Sequence, residues 1–198
     1  MKEALLIFAK NLINGEVKTR LAATMGNDFA FSLYKQLLEH TVSITNHLPV
    51  GKTIFYSTYI DGQDAWSHGI YEKQIQAGED LGERMKNAFS YIFDKEYEKA
   101  IIIGTDCFEI SAAIIMNAFI HLNNHDIVIG PATDGGYYLL GMKQVHAKLF
   151  QNIYWSTSNV LQQTLAVCID QNLSVHLLTE LSDIDIEKDL DKTKYSYR

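Results

Sequence analysis

Cysteine, proline and long apolar runs are all scarce in this chain, and each shortage closes off a class of protein. The two cysteines, Cys107 and Cys168, stand far apart without paired Cys or His neighbours. Neither a disulfide framework nor a cysteine-based zinc site is indicated, and both are expected to be buried or half-buried thiols. Two prolines, Pro49 and Pro131, are too few to mark a hinge or linker. No apolar run approaches the roughly 20 residues of a membrane-spanning helix. Met1-Lys2-Glu3 leads straight into a six-residue apolar stretch, without the long apolar segment and cleavage site of a signal peptide. The expectation is a cytoplasmic protein with no membrane partner.

Positive charge is also short: 17 Lys and Arg face 24 Asp and Glu, a formal charge of -7. Without a dense basic stripe such a field repels polyphosphate chains, which argues against a nucleic-acid partner and requires that any bound phosphate be held locally. Serine elbows and Cys/His nucleophile signatures are missing, which argues against hydrolases working through an acyl intermediate. The seven histidines contain no His-x-x-His pair; His40, His47, His121 and His125 fall in or near helices and are expected in surface or core roles.

What remains is a chain of 198 residues, 47% apolar, long enough to bury a full core as one domain spanning 1–198. Ala4-Leu5-Leu6-Ile7-Phe8-Ala9, Ile101-Ile102-Ile103 and Ile127-Val128-Ile129 are short continuous apolar runs, the pattern of strands buried on both faces. Shorter strands are expected near 53–57, 72–76, 137–142 and 174–178. Leu81, Met85, Ala88, Phe89 and Ile92 share a helical face, as do Ala112, Ile115, Phe119 and Leu122. Further helices are expected over about 28–47 and 158–171. Alternating strands and helices imply a three-layer α/β/α domain around a mostly parallel mixed sheet. Parallel strands end on one edge, so the segments after Ala9 and after Gly104 should open into one crevice. The stretch 58–71, with Tyr59, Trp66, His68 and Tyr71, is long enough to serve as a flap over it.

Four segments carry candidate chemistry, and a fifth, Asp80 to Arg84, adds a cation to a helix start. The first, from Phe8 to Leu21, joins a strand to a loop with Lys10, Gly15, Lys18 and Arg20. It is not a P-loop, because Val17 precedes Lys18, and it reads either as a phosphate cradle or as a solvated turn. In the cradle reading Arg20 is favoured, since a guanidinium grips two phosphate oxygens at once. Secondly, Gly104-Thr105-Asp106 follows a buried strand, where Asp106 can ligate Mg2+ or Mn2+ on a pyrophosphate, or cap the next helix; Ser111 is better placed as that cap. Thirdly, Gly130 to Tyr138, with Asp134-Gly135-Gly136-Tyr137 at its centre, reads as a hairpin turn, or as close backbone approach to a ligand with Asp134 binding a sugar hydroxyl or deprotonating an acceptor. Both readings can hold together. The fourth is Asp183-Ile184-Asp185, whose acids are either metal ligands or, for Asp185, the cap of a short final helix. In Asp80-Leu81-Gly82-Glu83-Arg84, Asp80 is expected to cap a helix with Glu83 completing the box, while Arg84 can still reach a phosphate.

Taken in order, Gly15 to Leu21, Asp80 to Met85, Gly104 to Asp106, Asp134 to Gly141, Trp155-Ser156-Thr157 and Asp183 to Asp185 resemble small bacterial transferases of the glycosyltransferase A-type, nucleotide-diphospho-sugar transferase fold. These include the radical-SAM/selenodomain-associated and arsenosugar-biosynthesis glycosyltransferases. Leu12 and Phe108 stand where many of those relatives carry proline. The resemblance implies Asp106 as a ligand of Mg2+ or Mn2+ with Asp185 completing the metal site, and Lys18 and Arg20 on the donor phosphates; Lys10, Gly15 and Arg84 are further phosphate-binding candidates, and Gly135, Gly136, Tyr137 and Trp155 are candidates around donor and acceptor. It implies transfer of a sugar from a nucleotide-sugar to a small-molecule acceptor, with Asp106 and Asp134 in the catalytic roles. Nucleotidyl transfer from a nucleoside triphosphate to a phosphorylated small molecule is the alternative, and a non-catalytic nucleotide-binding protein is the third reading.

Overall fold

The apolar runs become strands that alternate their side chains between two cores. The computed structural model describes residues 2–190; Met1 and residues 191–198 of the expected domain lie outside the described residues. The strands are β1 (Glu3–Ala9), β2 (Gly51–Tyr56), β3 (Glu72–Ile75), β4 (Lys99–Ile103), β5 (Ile127–Pro131), β6 (Tyr137–Met142) and β7 (Val175–Leu177). They form one seven-stranded sheet in the order β3-β2-β1-β4-β6-β5-β7. β6 runs antiparallel to both neighbours and every other pairing is parallel, the mixed, mostly parallel sheet that the sequence implied.

Helices α1 (Thr19–Met25), α2 (Asn27–Thr45), α3 (Leu81–Phe93), α4 (Ala112–His121), α5 (Val160–Asp170) and α6 (Glu187–Leu190) complete the layers. Leu5, Ile7 and Ala9 of β1 pack with Ile115 and Phe119 of α4 and with Leu38 and Val42 of α2. Ala4 and Leu6 face the other way, toward Met85 and Phe89 of α3 and Cys168 of α5. That period of two on a sheet covered on both faces explains the unbroken apolar runs. Each fully buried Leu or Ile contributes about 1.5–3 kcal/mol. Both cysteines are buried and unpaired, and burial first, then the nearby Asp183 charge, pushes the Cys107 thiol up to about 12. No helix among the described residues is long and apolar enough to cross a membrane.

Two local expectations need correction. The cationic loop after β1 does not stay a loop, because α1 begins at Thr19. Val17 and Leu21 sink into a third cluster with Leu33, Tyr34, Leu37, Ile184 and Leu190, and seven residues are too few to display a helical period in sequence. The stretch 58–71 is not a flap over the crevice either. Trp66 and Tyr71 are buried in the sheet core with ring centroids 5.1 Å apart. Asp64 pairs with Lys73 at 2.7 Å and accepts from the Tyr56 hydroxyl, which pins the segment to β2 and β3.

Candidate functional site

Register decides where the crevice opens. Ile7 of β1 lies opposite Ile103 of β4, and Ala9 opposite Tyr56 of β2, so Lys10, Ser57 and Gly104 leave the sheet side by side at its carboxyl edge. A crevice of about 700 Å³ opens there. Lys10, Lys18, Arg20, Arg84, Asp106, Asp134, Gly136, Tyr137, Trp155, Asp183 and Asp185 all reach its wall. Side chains separated by more than a hundred residues therefore share one rim, as the strand-edge argument requires.

The centre of the rim is a buried ammonium. Lys18 is 6% exposed and its Nζ lies 2.6 Å from Asp106 Oδ1 and 3.5 Å from Asp185 Oδ1. It also donates to the Ile184 carbonyl at 2.6 Å. Burial alone would lower its pKa, but Asp106, Asp185 and Asp183 outweigh that and raise it. The backbone of Lys18 sits in the left-handed region, φ 48 and ψ 44, a conformation that costs on the order of 1 kcal/mol for a side chain with a Cβ. Of the other non-glycine residues with positive φ, Ser156 also lines the crevice.

The segment 183–185 is held against this centre from two sides. The Ile184 N–H donates to the Asp106 carbonyl at 2.9 Å, and buried Ile184 locks into the third apolar cluster. Flanking Asp185 accepts from Arg20 at 3.1 Å. Asp183 is half-buried; burial first, then the charges of Asp106 and Asp134, push its carboxyl up to about 7. Asp185 does not cap α6: the Asp189 carboxylate accepts from the backbone N–H groups of Asp185 and Ile186 at 3.0 and 2.9 Å. Ser111 caps α4, accepting from the Ile114 N–H at 3.3 Å, so capping does not engage Asp106.

The structure shows the hairpin reading of the glycine pair. Ala132 to Gly136 closes the β5–β6 hairpin, with the Gly135 N–H donating to the Ala132 carbonyl at 3.0 Å. Asp134 stays exposed on the crevice wall while its Oδ1 accepts from the Gly136 N–H at 2.8 Å. Gly135 itself is outside the wall, and its role is packing: at φ 89, an added Cβ would lie 2.0 Å from the Ser158 carbonyl oxygen. Gly15 is likewise outside the wall, in a turn closed by the Glu16 N–H on the Ile13 carbonyl at 3.1 Å. Tyr137 lines the crevice, but its hydroxyl is buried. Asp80 caps α3 at 2.8 Å from the Glu83 N–H, and the Glu83 carboxylate returns to the Glu79 N–H at 2.9 Å. Arg84 is oriented by its Nε–H on the Gly78 carbonyl at 3.0 Å. Gly82 leaves room for Trp155, whose ring would lie 2.4 Å from an added Cβ.

Sequence reading missed several parts of the wall. The Tyr34 hydroxyl accepts from the Lys10 N–H at 2.8 Å and bonds Thr105 Oγ1 at 3.0 Å, tying the β1 and β4 loops together. Behind the wall, Asn11 is buried and bonds the backbone of Thr58 and Tyr59 through its side chain at 3.0 and 2.9 Å. An isolated Tyr on a helix and a loop Asn carry no signal of such partners. The histidines also depart from expectation: His121 and His125 meet His176 in space, a grouping whose one trace in sequence is the four-residue spacing of the first two.

With a mixed sheet and an acidic and basic rim at its carboxyl edge, the class is that of nucleotide-diphospho-sugar transferase-like α/β proteins. The chain belongs to the DUF2064 family, described as uncharacterized proteins conserved in bacteria, whose model matches residues 41–157. A Desulfovibrio desulfuricans protein, provisionally assigned as a nucleotide-diphospho-sugar transferase, is 32% identical, with 96% of this chain and 86% of that one covered and a TM-score of 0.90. Two distant structures share the fold alone. Rv0371c of Mycobacterium tuberculosis, solved in complex with manganese, is 10% identical over 97% of both chains with a TM-score of 0.61. The 4-diphosphocytidyl-2C-methyl-D-erythritol synthase of Anaerococcus prevotii is 8% identical over 96% of this chain and 95% of its own, with a TM-score of 0.59. None of the curated proteins matches the chain.

Proposed function

We propose that this protein, over residues 1–198 as one unit, transfers a sugar from a nucleotide-diphospho-sugar to a small-molecule acceptor in the crevice, with Mg2+ or Mn2+. The carrying observation is the rim itself: Asp106 and Asp185 flank the buried Lys18 ammonium, with Arg20 bonded to Asp185. The 32% identical relative supports the donor class. The finer placement, among the radical-SAM/selenodomain-associated and arsenosugar-biosynthesis glycosyltransferases, rests on the sequence segments and belongs to the same proposal.

The donor set fits a hard divalent cation. Among the described residues no three of these carboxylates close to within 4.8 Å of one another, so the chain offers Asp106 and Asp185, with Asp183 beside them, rather than a full cage. Mg2+ and Mn2+ are commonly held that way, by one or two carboxylates with the remaining positions left to water and substrate phosphates. When bound, such an ion would neutralise charge developing on the leaving diphosphate. That a fold relative was solved with manganese agrees with this choice.

The chain's own groups then divide the work. Lys18, buried between carboxylates, fixes the acidic cluster and supplies a permanent positive charge next to the diphosphate position. Arg20, 68% exposed at its side chain, and Arg84 and Lys10 on the wall bind donor phosphates. Trp155, seated over Gly82, and Gly136 shape the sugar and acceptor side. Asp134 accepts the acceptor's proton.

Turnover distinguishes the readings. With nucleotide-diphospho-sugars, hydroxylated acceptors and Mn2+, release of nucleoside diphosphate is expected. Pyrophosphate released from a nucleoside triphosphate and a phosphorylated acceptor would instead assign nucleotidyl transfer. Nucleotide binding with no turnover of either panel would assign a non-catalytic role.

A further inference from the structure

His121, His125 and His176 form a cluster at the sheet edge opposite the crevice, and none of them lines the crevice wall. His121 ends α4, and the helical turn carries on far enough for the His125 N–H to donate to the His121 carbonyl at 3.1 Å. His176 lies in β7 opposite Val128 of β5. Parallel neighbours in register share a face, and Val128 belongs to the core in which α4 packs; His176 is thereby brought under the end of α4. All three are half-buried, and one ring nitrogen from each lies within 4.8 Å of the others.

We propose that these three imidazoles bind a transition-metal ion of the Zn2+ class, with solvent completing its coordination. The His125 ring supplies the most specific support. Its Nδ1 lies 3.0 Å from the His121 carbonyl oxygen. A carbonyl can only accept, so Nδ1 carries the proton and the Nε2 lone pair is free. Metal-bound histidines are held in that way, by a hydrogen bond from the other ring nitrogen. His121 and His176 rings are stacked, 3.4 Å between centroids and 11° between planes. Because an imidazole lone pair lies in the plane of its ring, binding one ion requires one of these two rings to turn about its ring torsion so that the planes converge.

Imidazole nitrogens select Zn2+, Co2+, Ni2+ or Cu2+, whereas Mg2+ and Mn2+ prefer oxygen. This site and the carboxylate crevice therefore differ in the ion they take, and the proposal stands independently of the transferase reading. The bound ion would clip the three-residue edge strand β7 to the end of α4.

The test is titration of the tag-free, chelator-stripped protein with Zn2+ against a chromophoric competitor, and with Co2+ by visible absorption. One Zn2+ per chain is expected at this site, unaffected by excess Mg2+. His121→Ala and His176→Ala should each weaken it by roughly tenfold or more, while His47→Ala, an exposed position, leaves it unchanged. Imidazole nitrogen resonances in the wild-type protein give a readout that needs no variant: Zn2+ should shift those of His121, His125 and His176. Wild-type affinity in His121→Ala and His176→Ala, loss of binding in Asp106→Ala instead, or shifts confined to other histidines would overturn the assignment.

Discussion

The Lys18 ammonium lies 2.6 Å from Asp106 Oδ1, joining the residue that precedes the first helix to the loop after the fourth strand across a half-buried ion pair. A buried charge with one partner removed is worse than none. Lys18→Met should therefore destabilise the protein by about 1–3 kcal/mol, since Asp106 and Asp185 keep some solvent while the ammonium does not. The Lys18 pKa is raised in the fold, so its contribution is fully present at neutral pH and lost only as pH rises through that raised value. Urea denaturation of both proteins, repeated toward alkaline pH, should show the gap narrowing there.

Asp183 gives a dependence of the same sign in a lower pH window, and as a cost of the charged form rather than a contribution from it. Its folded pKa of about 7 stands above the ordinary 3.8, so between those values the native state holds a proton that the unfolded chain has shed. Stability of the metal-free protein then falls as pH rises through that window, and the full cost stands above it. Asp183→Asn should be more stable than wild type by about 1–3 kcal/mol near about pH 8 and no different near about pH 4. Thermal melts in chelator across that range check the sign.

Much of this was legible in sequence, for reasons that can be traced to particular residues. Unbroken runs such as Ile101-Ile102-Ile103 announce strands buried on both faces, and Asp80 and Ser111 announce helix starts because an orphan N–H needs an acceptor. The rim was legible too, since strand order places Asp106 beside the loop after Ala9. Less accessible was anything set by packing across long separations. The burial of Lys18 between carboxylates depends on Val17 and Leu21 drawing it inward, and the packing of Gly135 depends on the Ser158 backbone against it; neither shows in the local sequence. His176 gives no hint of the two histidines about fifty residues before it, because only the β5–β7 register joins them.

Gly135 tests the packing reading. Gly135→Ala combines a positive φ with a backbone clash at 2.0 Å, and a loss of about 3 kcal/mol is expected. By contrast the atoms nearest an added Cβ at Gly82 belong to the Trp155 ring, a side chain that can move. There the expected result is a folded protein with displaced Trp155, seen as a red shift in tryptophan emission, and weaker donor binding.

Arg20 separates binding from stability. Its side chain is 68% exposed, so Arg20→Ala should change stability by no more than about 0.5 kcal/mol. Loss of a charge-assisted phosphate contact should still weaken nucleotide-diphospho-sugar binding by roughly tenfold. Equal affinity in the variant would remove Arg20 from the phosphate site.

The most direct measurement is calorimetry of nucleotide-diphospho-sugar binding with and without Mn2+, in wild type and in Asp106→Asn checked for folding by its melt. Wild type should bind at least about tenfold more tightly with Mn2+, and Asp106→Asn should lose that increment. An undiminished Mn2+ effect in the folded variant would contradict the assignment of Asp106 as the residue that tethers cation and diphosphate at this rim.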